Sequence, residues 1–305
     1  MIVYPGRLRR LARIRRLDPR RDCWQIYRTL VREEFKHEAR LGLLVAFWRE
    51  FGIPEIAELL DATGETVARP GKRADDTGIL MYEVIDHGFE HPRARSAIRR
   101  LNEIHRSFGA AISNDANRYV LATLIFVPTR WIDRYGWRPL CCHERAATYH
   151  FYRELGRRLG IRDIPGSYPA YEQWFDDYER RHLRRTDAAV RLMAASRSIL
   201  GRFPAPVRLA GRSFADTVLL DAPMRHAVGA AEPSRVARLV WHLVLRLRAR
   251  VQRLAPSRPP YHRDGDLATA SYPDGYDIAG VGATSRQPTS GVRACCTTPP
   301  AGGRT

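Results

Sequence analysis

Lysine is almost missing from this chain: Lys36 and Lys72 are its only two, among 51 basic residues. Arginine therefore carries nearly all of a formal net charge of +18. Such charge alone points to nucleic acid or an anionic membrane surface. Zinc-finger, RNP and helix-turn-helix patterns are missing too, so no nucleic-acid partner is expected. The arginine bias, beside abundant alanine and glycine, is what GC-rich coding writes by default. Long apolar runs are also lacking. The longest, over 119–127, is broken only by Thr123 and is well short of the roughly 20 residues that span a bilayer. The basic stretch 1–21 has no continuous apolar core and no small-residue cleavage site, so no secretory leader is expected. Of five cysteines, four stand as the adjacent pairs Cys141-Cys142 and Cys295-Cys296. Neighbouring cysteines bridge each other only under strain, and an odd count is no disulfide framework, so a cytoplasmic, reducing setting is expected. Period-two alternation is lacking throughout, which excludes a sheet-based core.

What is present is helical periodicity. Residues 1–22 form a basic N-terminal segment in which Leu8, Leu11, Ile14 and Leu17 recur every third position. This spacing allows a basic amphipathic helix; a solvated terminus is the plainer reading and membrane-surface docking the sharper one. Residues 23–255 read as one all-α domain. Apolar spacing and caps predict helices over 75–87, 92–108, 116–135, 144–160, 168–186, 187–200, 214–228 and 234–254, with a kink at Pro128. Residues 256–305 are rich in Gly, Pro, Ser and Thr without an apolar face, and are expected to be a disordered tail.

Two stretches carry the chemistry. In IRRLNEIHRSF, Ile98, Leu101, His105 and Phe108 share one helical stripe, so His105 faces inward. A buried imidazole needs a hydrogen-bond partner or a metal. In KRADDTGILMYEVIDHGF, Arg73 and Thr77 lie four residues apart at a helix start and address one side. Taken singly, each has a plain reading: a satisfied core histidine, a solvated arginine, a threonine bonded to its own backbone. Two near misses fall away. HERAATYH has alanine at 147 where a zinc-protease helix needs histidine. Cys141-Cys142-His143-Glu144 places four donors in a row, which tetrahedral geometry disfavours.

Together with ISNDANRYVLATLIFVPTRWIDRYGWRPL and YRELGRRLGIRDIP, these stretches resemble the MpaB / rubber oxygenase (Lcp) family over about residues 30–185, with a looser helical continuation to about 255. The resemblance implies an all-α, globin-like helical bundle holding a non-covalent haem b. It implies His105 as the proximal iron ligand, and distal residues at the positions of an Arg-x-x-Lys-Thr motif, here Arg73, Asp76 and Thr77. It implies an oxygenase that uses dioxygen on an apolar small-molecule substrate, an isoprenoid or other lipid-like alkene. Two positions depart from the pattern. Asp76 stands where rubber oxygenases carry lysine, which argues against rubber itself as substrate. Leu121 stands where many wider members carry histidine. The resemblance also implies an assisting acid upstream of the arginine, for which Glu55 and Glu58 are both available. Arg73, Arg130, Arg134 and Arg138 are candidates for pairing with haem propionates.

Two other functions compete. Asp76 in place of lysine favours a haem-binding sensor or carrier without turnover. The arginine-rich ends, 1–22 and 234–254, favour a haem-free helical interaction protein making peripheral membrane contact. A haem spectrum with substrate-dependent oxygen uptake separates the first reading from both.

Overall fold

Prolines and small polar residues set most of the helix starts. The computed structural model describes residues 4–202, 219–255 and 269–282. Pro5, Pro54, Pro70, Pro92 and Pro169 sit in the first turns of their helices, where a missing N–H costs nothing. Ser113, Ser167, Thr186, Asp221 and Ser234 each accept a hydrogen bond from the third residue on, the usual N-cap. The elements in order are α1 Pro5–Ile14, α2 Cys23–Thr29, α3 Lys36–Glu50, α4 Pro54–Thr63, α5 Glu65–Ala68, α6 Pro70–His87, α7 Pro92–Ser107, α8 Asn114–Tyr135, α9 Cys142–Arg158, α10 Tyr168–His182, α11 Asp187–Ser196, α12 Ala222–Val228 and α13 Arg235–Leu254. A single π-helical turn, Leu30–Glu34, links α2 to α3. No strand forms among the described residues; Thr269 and Tyr272 make one isolated bridge. The all-α class expected from periodicity is the class observed.

The centre of the bundle is the α3–α8 pair. Gly42 lets the two backbones meet: a Cβ there would lie 2.6 Å from Pro128 Cα. Helix α8 continues past Pro128 to Tyr135. One buried polar cluster joins this pair to its neighbours. Arg49 of α3 donates to both oxygens of Glu179 on α10 and, at 2.7 Å, to Asp221 ahead of α12. Tyr119 of α8 donates to Glu179 at 2.9 Å. Such a network is costly to leave half made, so it fixes one arrangement of four elements.

Helices α6 and α7 form a hairpin across one side of the bundle. The turn needs Gly88, whose φ of 79° is a left-handed value and whose Cα faces the Trp24 indole at close range. Arg93 of α7 reaches back to Glu83 of α6 in a two-toothed pair. The predicted start at 75 is late by one turn, because Pro70-Gly71 forms the first turn of α6 and does not precede it.

Two sequence expectations differ from the structure at the chain ends. The solvated N-terminus is instead docked: Arg7 is buried, and Arg7 and Arg10 converge on the buried Glu34. Part of the expected disordered tail also packs. Residues 269–282 lie along the α6–α7 hairpin, with Val281 fully buried, because tyrosine hydroxyls and the Val281 carbonyl find partners on α6 and α7 that composition alone does not show. The remainder, 256–268 and 283–305, lies outside the described residues. No helix among the described residues is long and apolar enough to cross a membrane.

Candidate active site

Helices α3, α6 and α7 bring four polar side chains to one region. Arg73 and Thr77 sit one turn apart on α6. The Arg73 guanidinium donates to the Thr77 hydroxyl, which in turn donates to the Arg73 carbonyl at 3.2 Å. The hydroxyl is thereby held in one orientation. Arg73 also lies over the Phe47 ring of α3, 5.7 Å from its centroid, a distance at which a cation and a ring face attract.

His105, near the end of α7, is partly buried. Burial is the main cause that holds its pKa below the ordinary histidine value, and the nearby positive charge of Arg73 adds to it. The imidazole is therefore neutral at pH 7, with a lone pair free to act as a ligand. Its ring nitrogens bond to no described residue, yet neither is sealed from open space. No protein hydrogen bond thus fixes this histidine among the described residues.

Glu50, the last residue of α3, is the fourth member, and sequence reasoning missed it. It is buried, and no hydrogen bond joins its carboxylate to a described residue. Desolvation pushes its pKa up from 4.5 to about 7, with Arg73 pulling the other way. The available signal was the Arg49-Glu50 dipeptide inside the otherwise apolar stretch 41–53. Arg49 is consumed by Glu179; Glu50 is left facing Arg73.

Other expected residues lie elsewhere. Asp76 is buried but points away from this group: Lys72 donates to it at 2.8 Å and Tyr272 at 2.5 Å. Glu55 caps the start of α8 through Ser113, and Glu58 is exposed. Of the arginines considered for propionates, Arg130 pairs with Glu172 and Asp176, Arg138 with Glu144, and Arg134 sits beside His242. Only Arg73 stands at the site. Leu121 is buried within the core, with no polar role.

The donor set fits a porphyrin iron. His105 would offer a single neutral imidazole, the donor a b-type haem takes. Arg73, whose charge reaches both His105 and Glu50, adds a guanidinium to the region, with the Thr77 hydroxyl it fixes and the protonatable Glu50 carboxyl. Beside Thr77, a Cβ placed on Gly78 would meet nothing within 4 Å, so the helix is slender there.

The fold is an all-helical bundle, in which the Arg73–Thr77 pair lies within electrostatic reach of the His105 imidazole. The chain belongs to the family described as ER-bound oxygenase mpaB/B'/Rubber oxygenase, catalytic domain, whose match runs over residues 37–253. It is similar to an ER-bound oxygenase mpaB' of Penicillium brevicompactum, 28% identical over 260 residues, covering 78% of this chain and 60% of that protein. An ER-bound oxygenase mpaB of Penicillium roqueforti is 31% identical over 145 residues, covering 46% of this chain and 48% of the relative. The chain thus spans between about half and three fifths of the length of these curated relatives. Among solved structures, a latex clearing protein in its closed state shares the fold, with a TM-score of 0.52 at 18% identity, covering 83% of this chain and 74% of that one.

Proposed function

We propose that this protein is a haem-b-dependent oxygenase acting with dioxygen on an apolar, alkene-bearing small molecule of isoprenoid or lipid-like type. The observation that carries the reading is the neutral imidazole of His105 under the influence of Arg73, the same arginine that bonds Thr77 and acts on Glu50. Family membership and the relatives' names, which call them oxygenases, support the reaction class. A cytoplasmic setting belongs to the same reading, supported by the cysteine pattern.

Haem b, when bound, supplies the iron at which dioxygen is activated. The chain's own residues divide the remaining work. His105 would hold the group through one ring nitrogen, which its depressed pKa keeps unprotonated. Arg73 places a fixed positive charge where developing negative charge could be stabilised. Thr77, oriented by Arg73, presents one hydroxyl in a fixed direction. Glu50 holds a proton at its carboxyl near neutral pH and can release or recover it without leaving the site. Phe47 contributes the apolar wall that a greasy substrate needs.

The test is an absorption spectrum of the full chain expressed with a haem precursor, beside His105→Ala. A Soret band and a b-type pyridine haemochrome, lost in the variant, are expected. Full haem occupancy in His105→Ala would overturn the ligand assignment. Arg73→Ala and Thr77→Ala should retain haem but lose alkene-dependent oxygen uptake by roughly 100-fold, the scale on which single positioning donors act. A haem spectrum without oxygen uptake on any alkene would select the sensor or carrier function instead.

A further inference from the structure

We infer that α1 and α13 together form a docking face for an anionic lipid bilayer. Helix α13 turns Trp241, Leu245 and Ala249 into the bundle. Its other side carries Leu239, Val240, Leu243, Leu247, Val251 and Leu254, each more than half exposed. Single exposed leucines are ordinary, but an aliphatic row along a 20-residue helix is not. Leu243, Val244 and Leu247 line a shallow trough bordered by Arg246 and Arg250.

The start of helix α1 lies against the C-terminal end of α13. Tyr4 N–H donates to the Arg253 carbonyl at 3.0 Å, and the Arg7 side chain donates to the Ala255 carbonyl at 3.2 Å. Tyr4 and Leu8 of this helix are exposed as well.

Charge selects the occupant. Residues 1–17 and 233–255 contain no Asp or Glu. Elsewhere the arginines meet carboxylates, as Arg130, Arg138 and Arg158 do. Arg9, Arg13, Arg246 and Arg250 are exposed, and none forms an ion pair with a described carboxylate. Aliphatics flanked by open guanidiniums are the composition of a helix lying in the plane of an anionic lipid surface, with the apolar side in the acyl boundary and the cations at the headgroups. A second copy is the poorer occupant, because two such faces would press arginines together with no acid between them. The face lies apart from Arg73 and His105, so the inference stands whether or not haem is bound.

Vesicle flotation of the full chain tests this, using phosphatidylcholine alone and phosphatidylcholine mixed with phosphatidylglycerol. Two double variants run beside it: Leu243→Asp with Leu247→Asp, and Arg246→Glu with Arg250→Glu. Thermal melts show that each variant is folded. The expected result is binding to the anionic vesicles, weakened by salt and at least about tenfold weaker in both variants. Equal binding to neutral vesicles, no binding to anionic ones, or binding that both variants leave unchanged would overturn it. A dimer that dissociates in the aspartate variant, without vesicle binding by the parent chain, would assign the face to a second copy and overturn it too.

Discussion

Glu50 and His105 titrate in opposite senses, and one neighbour, Arg73, acts on both. Glu50 has its folded pKa raised from 4.5 to about 7 by burial. Over that interval the folded chain binds the proton more tightly than the unfolded chain, so stability from this group falls as pH rises from 4.5 to about 7. The loss is on the order of 3 kcal/mol at 1.36 kcal/mol per unit. Glu50→Gln should remove that slope from a series of denaturant midpoints and leave a flatter profile. A slope unchanged by the substitution would mean that Glu50 is solvated. His105 has its pKa lowered from the ordinary 6.5. Its neutral form is favoured in the fold, so stability from this group is present above pH 6.5 and lost as pH falls below it. Arg73→Ala removes a cation from both. NMR titration should then show the pKa of Glu50 rising further and that of His105 rising back toward its ordinary value. His105 was legible in the sequence as an inward stripe position, and Arg73 with Thr77 by their spacing of four. Glu50 was not, because a helix-terminal carboxylate looks the same whether it faces water or a neighbouring cation.

At the scale of elements, the segment 269–282 changes the part Asp76 plays. Ser271 donates to Asp75 and Tyr272 to Asp76, Tyr276 donates to Glu83, and Arg100 donates to the Val281 carbonyl at 2.8 Å. This segment fastens α6 to α7, the two helices that carry Arg73, Thr77 and His105. Tyr272→Phe should cost roughly 1.5–3 kcal/mol, the worth of a hydrogen bond to a charged partner, read as a lowered thermal midpoint with haem content retained. Composition hid this segment: it sits in a tail rich in Gly, Pro, Ser and Thr, and its order comes from tyrosine hydroxyls meeting carboxylates on a distant helix. The amphipathic helices were legible in place and kind, since 92–108 and 234–254 match α7 and α13 within a residue at each end. Boundaries drifted where a proline opened a helix, as at Pro70.

At the scale of the molecule, the all-α bundle was readable from periodicity, but the way its layers lock together was not. Arg49, Tyr119, Glu179 and Asp221 are far apart in the chain and meet only in the fold. Arg49→Leu leaves Glu179 buried without its partner and should destabilise the chain by about 3–5 kcal/mol, checked by chemical denaturation; Arg49→Lys should recover only part of it, lacking the two-toothed geometry.

The family match closes at residue 253, and the segment that fastens α6 to α7 begins sixteen residues later, at 269. A gene shortened to the family boundary would therefore read as whole by homology while omitting the clasp that joins α6 to α7. Swapping C-terminal ends between relatives would carry the same risk, since Tyr272 and Tyr276 are matched to carboxylates of this particular α6. For this chain, the useful unit of heredity and of engineering extends at least to Gly282.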